Sequence, residues 1–242
     1  MAYSSMLSGT LNLEKLIFSP DSIMPTFDES LRYLKMAADN GNVKAMSLYA
    51  KYLCEQKSNP LNARIAAYYY KMAADQGGDS EKLQYAAILN AGKLVPLDKK
   101  EASRYFKMSA DRGNVIAMSD YATMLRLGDG IQPDKKEAAK YYRNAAMKGN
   151  IPAMNFYGLM SLNGEIECDK SEAVQFLTTA ANTGFGKAIY NLGMAKYRGH
   201  GTEQNKEEAI ELFKKAADKG VKEAADSLKS LGIKNESNCS IF

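Results

Sequence analysis

The sequence predicts an all-α protein built from about six stacked helix-turn-helix repeats of 35–36 residues. Three observations predict this fold class: a glycine recurs at intervals of 36, 36, 36, 35 and 36 residues, a pair of small residues precedes each glycine, and apolar residues before it follow helical spacing. The glycines are Gly41, Gly77, Gly113, Gly149, Gly184 and Gly220. Such a fixed period is typical of repeat proteins, in which each unit buries its apolar face only against its neighbours.

The first helix of each block is predicted to end at the glycine, a residue favoured just beyond a helix C-terminus. Large apolar side chains lie eight and seven positions before the glycine, and small residues lie eleven, four and three positions before it. The large pairs are Tyr33/Leu34, Tyr69/Tyr70, Tyr105/Phe106, Tyr141/Tyr142, Phe176/Leu177 and Leu212/Phe213. These positions share one stripe of a 3.6-residue helix, and the small residues permit a second helix to approach closely.

The second helix of each block is predicted to begin just after the glycine. Asn42, Asn114 and Asn150 are suitable N-cap residues for it. Four positions after the glycine every copy has alanine except the second, which has Glu81. Because a longer side chain hinders close packing there, we expect a local shift or a longer loop through residues 77–80.

The two ends of the chain depart from this pattern. Residues 1–27 read as a partial or atypical repeat, residues 28–233 as the repeat array, and residues 234–242 as a flexible tail. Solenoids normally end in polar caps, whereas residues 3–9 look like the end of a second helix without its first half. Self-association through this N-terminal end is therefore left open.

Composition is that of an ordinary globular chain, with 45% apolar and 25% charged residues and a net charge of +4. No segment approaches the run of about 18 apolar residues that a membrane span needs. The N-terminus has no secretory pattern, so a cytoplasmic location is expected. Cys54 and Cys168 belong to distant copies, and free thiols are therefore predicted.

The best-formed copy resembles the Sel-one-like repeat (SLR) family, a relative of the tetratricopeptide repeat. The residues that carry the resemblance are Leu192, Gly193, Tyr197, Gly199, Gly201, Ala209, Phe213, Lys215, Ala216, Ala217 and Gly220. The resemblance implies a right-handed α/α superhelix. It also implies a non-enzymatic adaptor or scaffold that binds a segment of a protein partner in its groove.

The predicted partner-binding face is the outward side of the first helices, at positions nine and five before each glycine. These positions vary between copies, and variable positions usually encode specificity in repeat proteins. By analogy with tetratricopeptide superhelices, they would line the groove. The predicted partner-binding residues are Arg32, Met36, Tyr68, Met72, Arg104, Met108 and Lys140. The alternative for the three methionines is that they cover the edge of the core stripe.

A basic residue lies six positions before the glycine in five copies. These residues are Lys35, Lys71, Lys107, Arg143 and Lys214. Aspartates follow the lysines four residues later at Asp39, Asp75, Asp111 and Asp218, which predicts local ion pairs. Since nucleic-acid binding needs several uncompensated cations on one surface, no nucleic-acid partner is expected.

The last four residues, from Cys239 to Phe242, fit the C-a-a-X prenylation pattern. This suggests an alternative function, a prenylated membrane-associated activator or regulator of an enzyme, similar to prenylated fungal activators of chitin synthase. Ser240 is not aliphatic and few basic residues precede the motif, so a free thiol at Cys239 is the other reading. Membrane association is expected only if Cys239 is prenylated.

The sequence offers little for catalysis or metal binding. Its one histidine, His200, lies between two glycines and is expected to be a solvated loop residue. One histidine alone does not make a zinc site, and no phosphate-binding loop or nucleophile motif is present. No catalytic residue, metal or cofactor is therefore predicted, and the chain is expected not to be an enzyme.

Overall fold

The computed structural model describes residues 27–56, 60–93 and 95–233. Within these ranges the chain forms twelve α-helices and no strand, which confirms the predicted all-α repeat fold. The predictions for the N-terminal partial repeat up to residue 26, for the tail and for Cys239 lie outside the described residues and stay predictions. No described helix is both long and apolar enough to span a bilayer.

The helices divide between two compact units, which meet in sequence at Asn114 and Val115. The first unit contains α1 (Phe27–Asp39), α2 (Val43–Glu55), α3 (Pro60–Gln76), α4 (Asp79–Ala91) and α5 (Lys99–Asp111). The second unit contains α6 (Val115–Leu127), α7 (Lys135–Met147), α8 (Ile151–Leu162), α9 (Lys170–Asn182), α10 (Gly186–Arg198), α11 (Lys206–Asp218) and α12 (Lys222–Ser230). In both units, helices that precede a repeat glycine alternate with helices that follow one.

The repeat glycine usually ends a helix by adopting a left-handed backbone. Gly41 and Gly149, for example, have φ of 89° and 88°, a region that other residues enter only with strain. Gly77 is the exception, because its φ is not positive. A Cβ atom there would lie 2.3 Å from the Ala73 carbonyl oxygen, so close packing requires this glycine.

The turn of the second repeat, between α3 and α4, differs from the turn of the first repeat. It is shorter, although a longer loop was one of the two expectations. Helix α3 ends at Gln76 and α4 begins at Asp79, so two residues separate them where three separate α1 from α2, and the longer loop predicted through residues 77–80 is wrong. Lys82 explains the change, because its buried ammonium group donates hydrogen bonds to the carbonyl oxygens of Gly77 at 2.6 Å and Gly78 at 3.4 Å. These bonds hold the end of α3 close to the start of α4.

Side-chain caps begin many of the helices. Asn42 accepts from the Ala45 N–H at 2.9 Å and Asn150 accepts from the Ala153 N–H at 2.8 Å, as predicted. Aspartate or asparagine caps the helices that precede a glycine as well, for example Asp134 before α7. Each such cap satisfies an N–H group that has no partner inside its helix.

A repeated aromatic contact joins three of the helices that follow a repeat glycine to the next helix. Tyr49 meets Tyr69, Tyr85 meets Tyr105, and Tyr121 meets Tyr141 edge to face, each with ring centroids 5.0 Å apart. The same kind of contact joins α8 to α9, where the rings of Tyr157 and Phe176 meet edge to face with centroids 5.7 Å apart. Edge-to-face rings stabilise beyond their buried area and fix how the two helices cross.

Candidate functional site

The predicted partner-binding residues of the first unit lie on one exposed side of α1, α3 and α5. Met36, Tyr68 and Met108 are 56%, 61% and 39% exposed, which is high for large apolar side chains. Arg32 and Arg104 are also exposed, whereas Met72 is half-buried. Packing against the core therefore covers part of the Met72 side chain, whereas most of the Met36 and Tyr68 side chains is available to a partner. We call these six residues the first-unit face.

Most cations beside the first-unit face have a local acidic partner. Lys35 contacts Asp39 at 2.7 Å, Lys71 contacts Asp75 at 2.7 Å, and Lys107 contacts Asp111 at 2.6 Å, as predicted from the spacing. Exposed pairs of this kind stabilise by about 0.3–0.5 kcal/mol each. Their main effect here is to remove the uncompensated positive charge that nucleic acid would need.

Each of two aspartates also accepts a hydrogen bond from the next repeat. The Tyr69 hydroxyl donates to Asp39 at 2.5 Å, and the Tyr105 hydroxyl donates to Asp75. Bonds from Lys35 and then Tyr69 lower the pKa of Asp39, while burial and this bond raise the pKa of Tyr69 to about 12. The repeats of the first unit are thus tied to one another by side chains at equivalent positions.

The two arginines of the first-unit face differ in their availability. The Arg104 guanidinium contacts Glu101 at 2.6 Å and lies 4.9 Å from the centroid of the Tyr105 ring. Arg32 has no ion-pair partner within the described part of the chain. An acidic group of a ligand would therefore form an ion pair with Arg32 more readily than with Arg104.

In the second unit the basic positions have other partners. Arg143 of α7 binds Glu172 of α9, with Nε–Oε2 and Nη2–Oε1 distances of 2.9 and 2.7 Å. The Arg143 bonds lower the pKa of Glu172 more than its burial raises it. Lys214 contacts Glu211 at 2.8 Å, an acid that the spacing argument did not pair with it.

Lys140, the last predicted binding residue, lies on α7 and lines an open cleft of about 450 Å³. Its ammonium group contacts Glu137 at 2.9 Å. Arg143, Tyr157 and Cys168 also line the cleft, together with acidic residues of the loop after α8. Burial, followed by the nearby Cys168 and Glu172, raises the pKa of Tyr157. Since both signs of charge line the cleft, it presents no strong field for an anion.

His200 is not the solvated loop residue that the sequence suggested. It is half-buried, and its Nε2 lies 3.0 Å from Oγ of the buried Ser161 on α8. Burial, and then the positive charges of Lys170 and Arg198, lower the pKa of His200. The pair joins the loop after α10 to α8. Among the described residues no group of three His, Cys, Asp or Glu side chains could hold a metal ion.

Sequence reasoning missed a buried polar pair in the second unit. Asn155 on α8 and Asn191 on α10 are only 1% and 6% exposed. The Asn191 side-chain amide donates to the Asn155 side-chain oxygen at 2.8 Å. The only signal in the sequence is the presence of asparagine inside two apolar helices, where an amide is disfavoured unless it is bonded.

Comparison with known families and structures agrees with this repeat architecture. A model of the Sel1 repeat matches residues 27–42, 43–78, 83–114, 115–150, 151–185 and 186–221. Most of these matches begin with a helix that follows a repeat glycine and continue through the next helix. No curated protein matches the chain.

Two solved structures are similar to the chain over nearly its whole length. One is c5321, described as a protective antigen of uropathogenic Escherichia coli strains displaying an SLR fold, with 23% identity, a TM-score of 0.76, and coverage of 97% of this chain and 52% of that one. The other is a Sel1 repeat protein from Oxalobacter formigenes, with 24% identity, a TM-score of 0.71, and coverage of 92% and 63%. The chain thus spans between half and two thirds of these relatives, and the likeness is one of fold.

Proposed function

Because the chain belongs to the Sel1 repeat family, we propose that it is a non-enzymatic adaptor that binds a segment of a protein partner. Sel1 repeat proteins generally mediate protein–protein interactions. The proposal places partner contact on the first-unit face and, as a separate contact, on Lys140 of the second unit. It assigns no catalytic residue.

Exposed apolar side chains at repeated positions carry this proposal. Met36, Tyr68 and Met108 occupy the same side of three helices that precede a repeat glycine, and Arg32 adds a cation without an ion-pair partner in the described ranges. Tyrosine, methionine and arginine are enriched in protein interfaces, and methionine adapts to varied surfaces. A partner segment with apolar side chains and an acid would match these groups.

The family match also changes the analogy with tetratricopeptide repeats. In that analogy the first helix of each repeat lines the groove, and most matched repeats here begin with a helix that follows a glycine. The groove by analogy therefore belongs to helices such as α2, α8 and α10. Partner contact on the first-unit face is instead proposed because its residues are exposed. This proposal does not require the face to line the groove.

A co-purification experiment tests the proposal. The tagged protein is purified from its native cells, and co-purifying proteins are identified by mass spectrometry for the wild type and for the triple variant Arg32→Ala, Tyr68→Ala and Arg104→Ala. A matched control changes Gln175, Thr179 and Lys215 to alanine, since these exposed residues hold the same repeat positions in α9 and α11.

We expect one specific partner to disappear from the triple variant while the control retains it and both variants keep the wild-type melting temperature. Serine at Met36, Met72 and Met108 should have the same effect. Partners that are retained by the triple variant, or lost only together with folding, would contradict the proposed face.

Prenylation of Cys239 remains a separate prediction of the C-terminal tetrapeptide. Incorporation of a radioactive isoprenoid by the wild type and not by Cys239→Ser would support the membrane-associated regulator. Absence of label would leave the adaptor proposal as it stands.

A further inference from the structure

Two exposed cations lie beside the first-unit face, one helical turn before it on α3 and α5. Arg64 lies four residues before Tyr68, and Lys100 lies four residues before Arg104. Residues that are four apart lie on the same side of a helix. The side chains of Arg64 and Lys100 form no ion pair or hydrogen bond within the described ranges. Their charges are therefore exposed and uncompensated.

Together with Arg32, these two side chains give this side of the first unit a surplus of positive charge. Most acids on the same side already contact a lysine or arginine. These paired acids are Asp39, Asp75, Asp111 and Glu101. Asp28 of α1 is exposed and has no ion pair among the described residues. The three unpaired cations Arg32, Arg64 and Lys100 therefore outnumber this single unpaired acid, which favours a partner that carries acids.

The exposed apolar residues of the first-unit face form a row across three helices. The hydrogen bonds from Tyr69 to Asp39 and from Tyr105 to Asp75 show that α1 contacts α3 and that α3 contacts α5 through side chains. The axes of helices in contact lie about 8–10 Å apart. An exposed apolar group therefore recurs about every 10 Å along the row. The groups of the row are Met36, Tyr68 and Met108.

This interval matches an α-helix better than an extended strand. Seven residues of a helix rise about 10.5 Å and complete almost two turns, so side chains seven residues apart lie on one side at that interval. In a strand, side chains on one side recur about every 6.8 Å, and the third residue, about 10 Å away, points to the opposite side. A helical segment of a partner would therefore contact all three apolar groups at once.

The side-chain types of the row favour the same occupant. Polyproline segments also repeat at about 9 Å, but they bind in grooves lined by aromatic residues. Two of the three apolar groups here are methionines, Met36 and Met108, which adapt to the varied apolar side chains of an amphipathic helix. The row belongs to helices that precede a repeat glycine, so this contact is separate from a groove lined by α2, α8 and α10.

Resting on the proposed adaptor function, we propose that the bound segment of the partner is an acidic amphipathic α-helix that crosses α1, α3 and α5. Its apolar side chains, seven residues apart, contact the apolar residues of the first-unit face. Its glutamates or aspartates pair with Arg32, Arg64 and Lys100. Arg64 and Lys100 are thus contact residues that the predicted partner-binding positions do not include.

Selection from a phage-displayed library of random 18-residue peptides on the purified full chain tests the proposal. A helix of that length spans about 27 Å, enough to cross three helices. We expect the selected peptides to be rich in glutamate or aspartate and to carry apolar residues seven positions apart. Synthetic copies are then titrated by fluorescence polarisation. Proline at a central position of the peptide should weaken binding about tenfold or more, because it breaks a helix.

Charge-reversed variants of the protein test the contact cations. The double variant Arg64→Glu and Lys100→Glu should weaken binding about tenfold or more, because like charges then meet across the interface. The conservative variant Arg64→Lys and Lys100→Arg should bind like the wild type. So should a matched control, Lys187→Glu and Lys222→Glu, which changes the net charge equally at exposed residues of the second unit without an ion pair in the described ranges. Since all these side chains are exposed, every variant should keep the wild-type melting temperature.

Several outcomes would overturn the inference. These are a library that yields no peptide above the uncoated surface, selected peptides without acids, affinity that survives the central proline, or equal loss of affinity in the double variant and the matched control. Selected peptides with prolines at every third position would identify a polyproline segment in place of the helix.

The double variant also separates this inference from the proposed function. In the co-purification experiment, a partner that is lost from the variant of Arg32, Tyr68 and Arg104 but kept by the double variant would show that the adaptor face stands and the acidic helix is wrong. If every variant keeps every partner, the proposed face itself fails.

Discussion

Gly158 in α8 should resist replacement by alanine, although alanine is the better helix former. An ideal Cβ atom there would lie 2.4 Å from Leu177 Cγ and 2.6 and 2.8 Å from its two methyl carbons. Favourable carbon–carbon contacts are about 3.5–4.0 Å long. Leu177 has 0% exposure and packs with Val174 and Leu192, so it has no open space into which to move.

The two opposing contributions can be compared. Overpacking of a core costs about 1–3 kcal/mol, whereas replacing glycine by alanine inside a helix stabilises by about 0.5–1 kcal/mol. Contacts of 2.4–2.8 Å place the overpacking in the upper part of its range, at about 2–3 kcal/mol, so Gly158→Ala should lower the free energy of unfolding by about 1–2 kcal/mol. At about 2–4 °C per kcal/mol for a chain of this size, the melting temperature should fall by about 2–8 °C.

A double-mutant cycle followed by circular dichroism in urea tests the cause. Leu177→Ala alone should cost about 2–5 kcal/mol because it leaves a cavity. In the double variant the new methyl group occupies part of that cavity, so the double variant should be at least about 1 kcal/mol more stable than the sum of the two single effects predicts. A Gly158→Ala protein as stable as the wild type, or simple additivity in the cycle, would refute the reasoning.

Three further predictions concern single polar groups. Lys82→Met should lower the free energy of unfolding by about 1–3 kcal/mol, because it removes the hydrogen bonds to the carbonyl oxygens of Gly77 and Gly78. A higher urea midpoint would show that burial of the ammonium group costs more than these bonds contribute. The pKa of His200 in the folded protein lies below the ordinary 6.5, because the folded environment favours the neutral ring. This preference contributes its full stability above pH 6.5, and the contribution is lost as the pH falls through the folded pKa. Urea unfolding at pH 7 and pH 5 should show this decline in the wild type and not in His200→Gln. Tyr105→Phe should lose about 1–2 kcal/mol through its hydrogen bond to Asp75, and an unchanged urea midpoint would contradict that role.

Most of the fold could be predicted because its causes are local. A glycine with positive φ, an asparagine cap and a stripe of small residues each act within one helix or turn, and Gly41 and Asn42 behave as their types predict. The second repeat shows where this fails. Lys82 is a charged residue at a position that methionine occupies in other repeats, and only its contacts with Gly77 and Gly78 reveal why the turn is short.

The candidate sites were less predictable because they depend on contacts between repeats. Exposure of Met36 and Tyr68 followed from helical spacing, since the opposite side of the helix carries the small residues. The asparagine pair did not follow from the repeat columns. Asn155 lies six positions after Gly149 and Asn191 seven positions after Gly184, because this one interval has 35 residues instead of 36. When the repeats are aligned on their glycines, the two asparagines therefore fall at different positions, although their side chains are hydrogen-bonded.

The tyrosine–aspartate bonds of the first unit have a consequence for how such an array changes length during evolution. Tyr69 reaches Asp39 and Tyr105 reaches Asp75, each across 30 residues and between the same two repeat positions. Duplication or excision of one 36-residue segment at this place would recreate the same junction without any compensating substitution. In the second unit Arg143 contacts Glu172 instead. A segment exchanged there would lack the partner for its tyrosine or aspartate. The first unit is therefore the part of this chain in which whole repeats could be gained or lost by single recombination events.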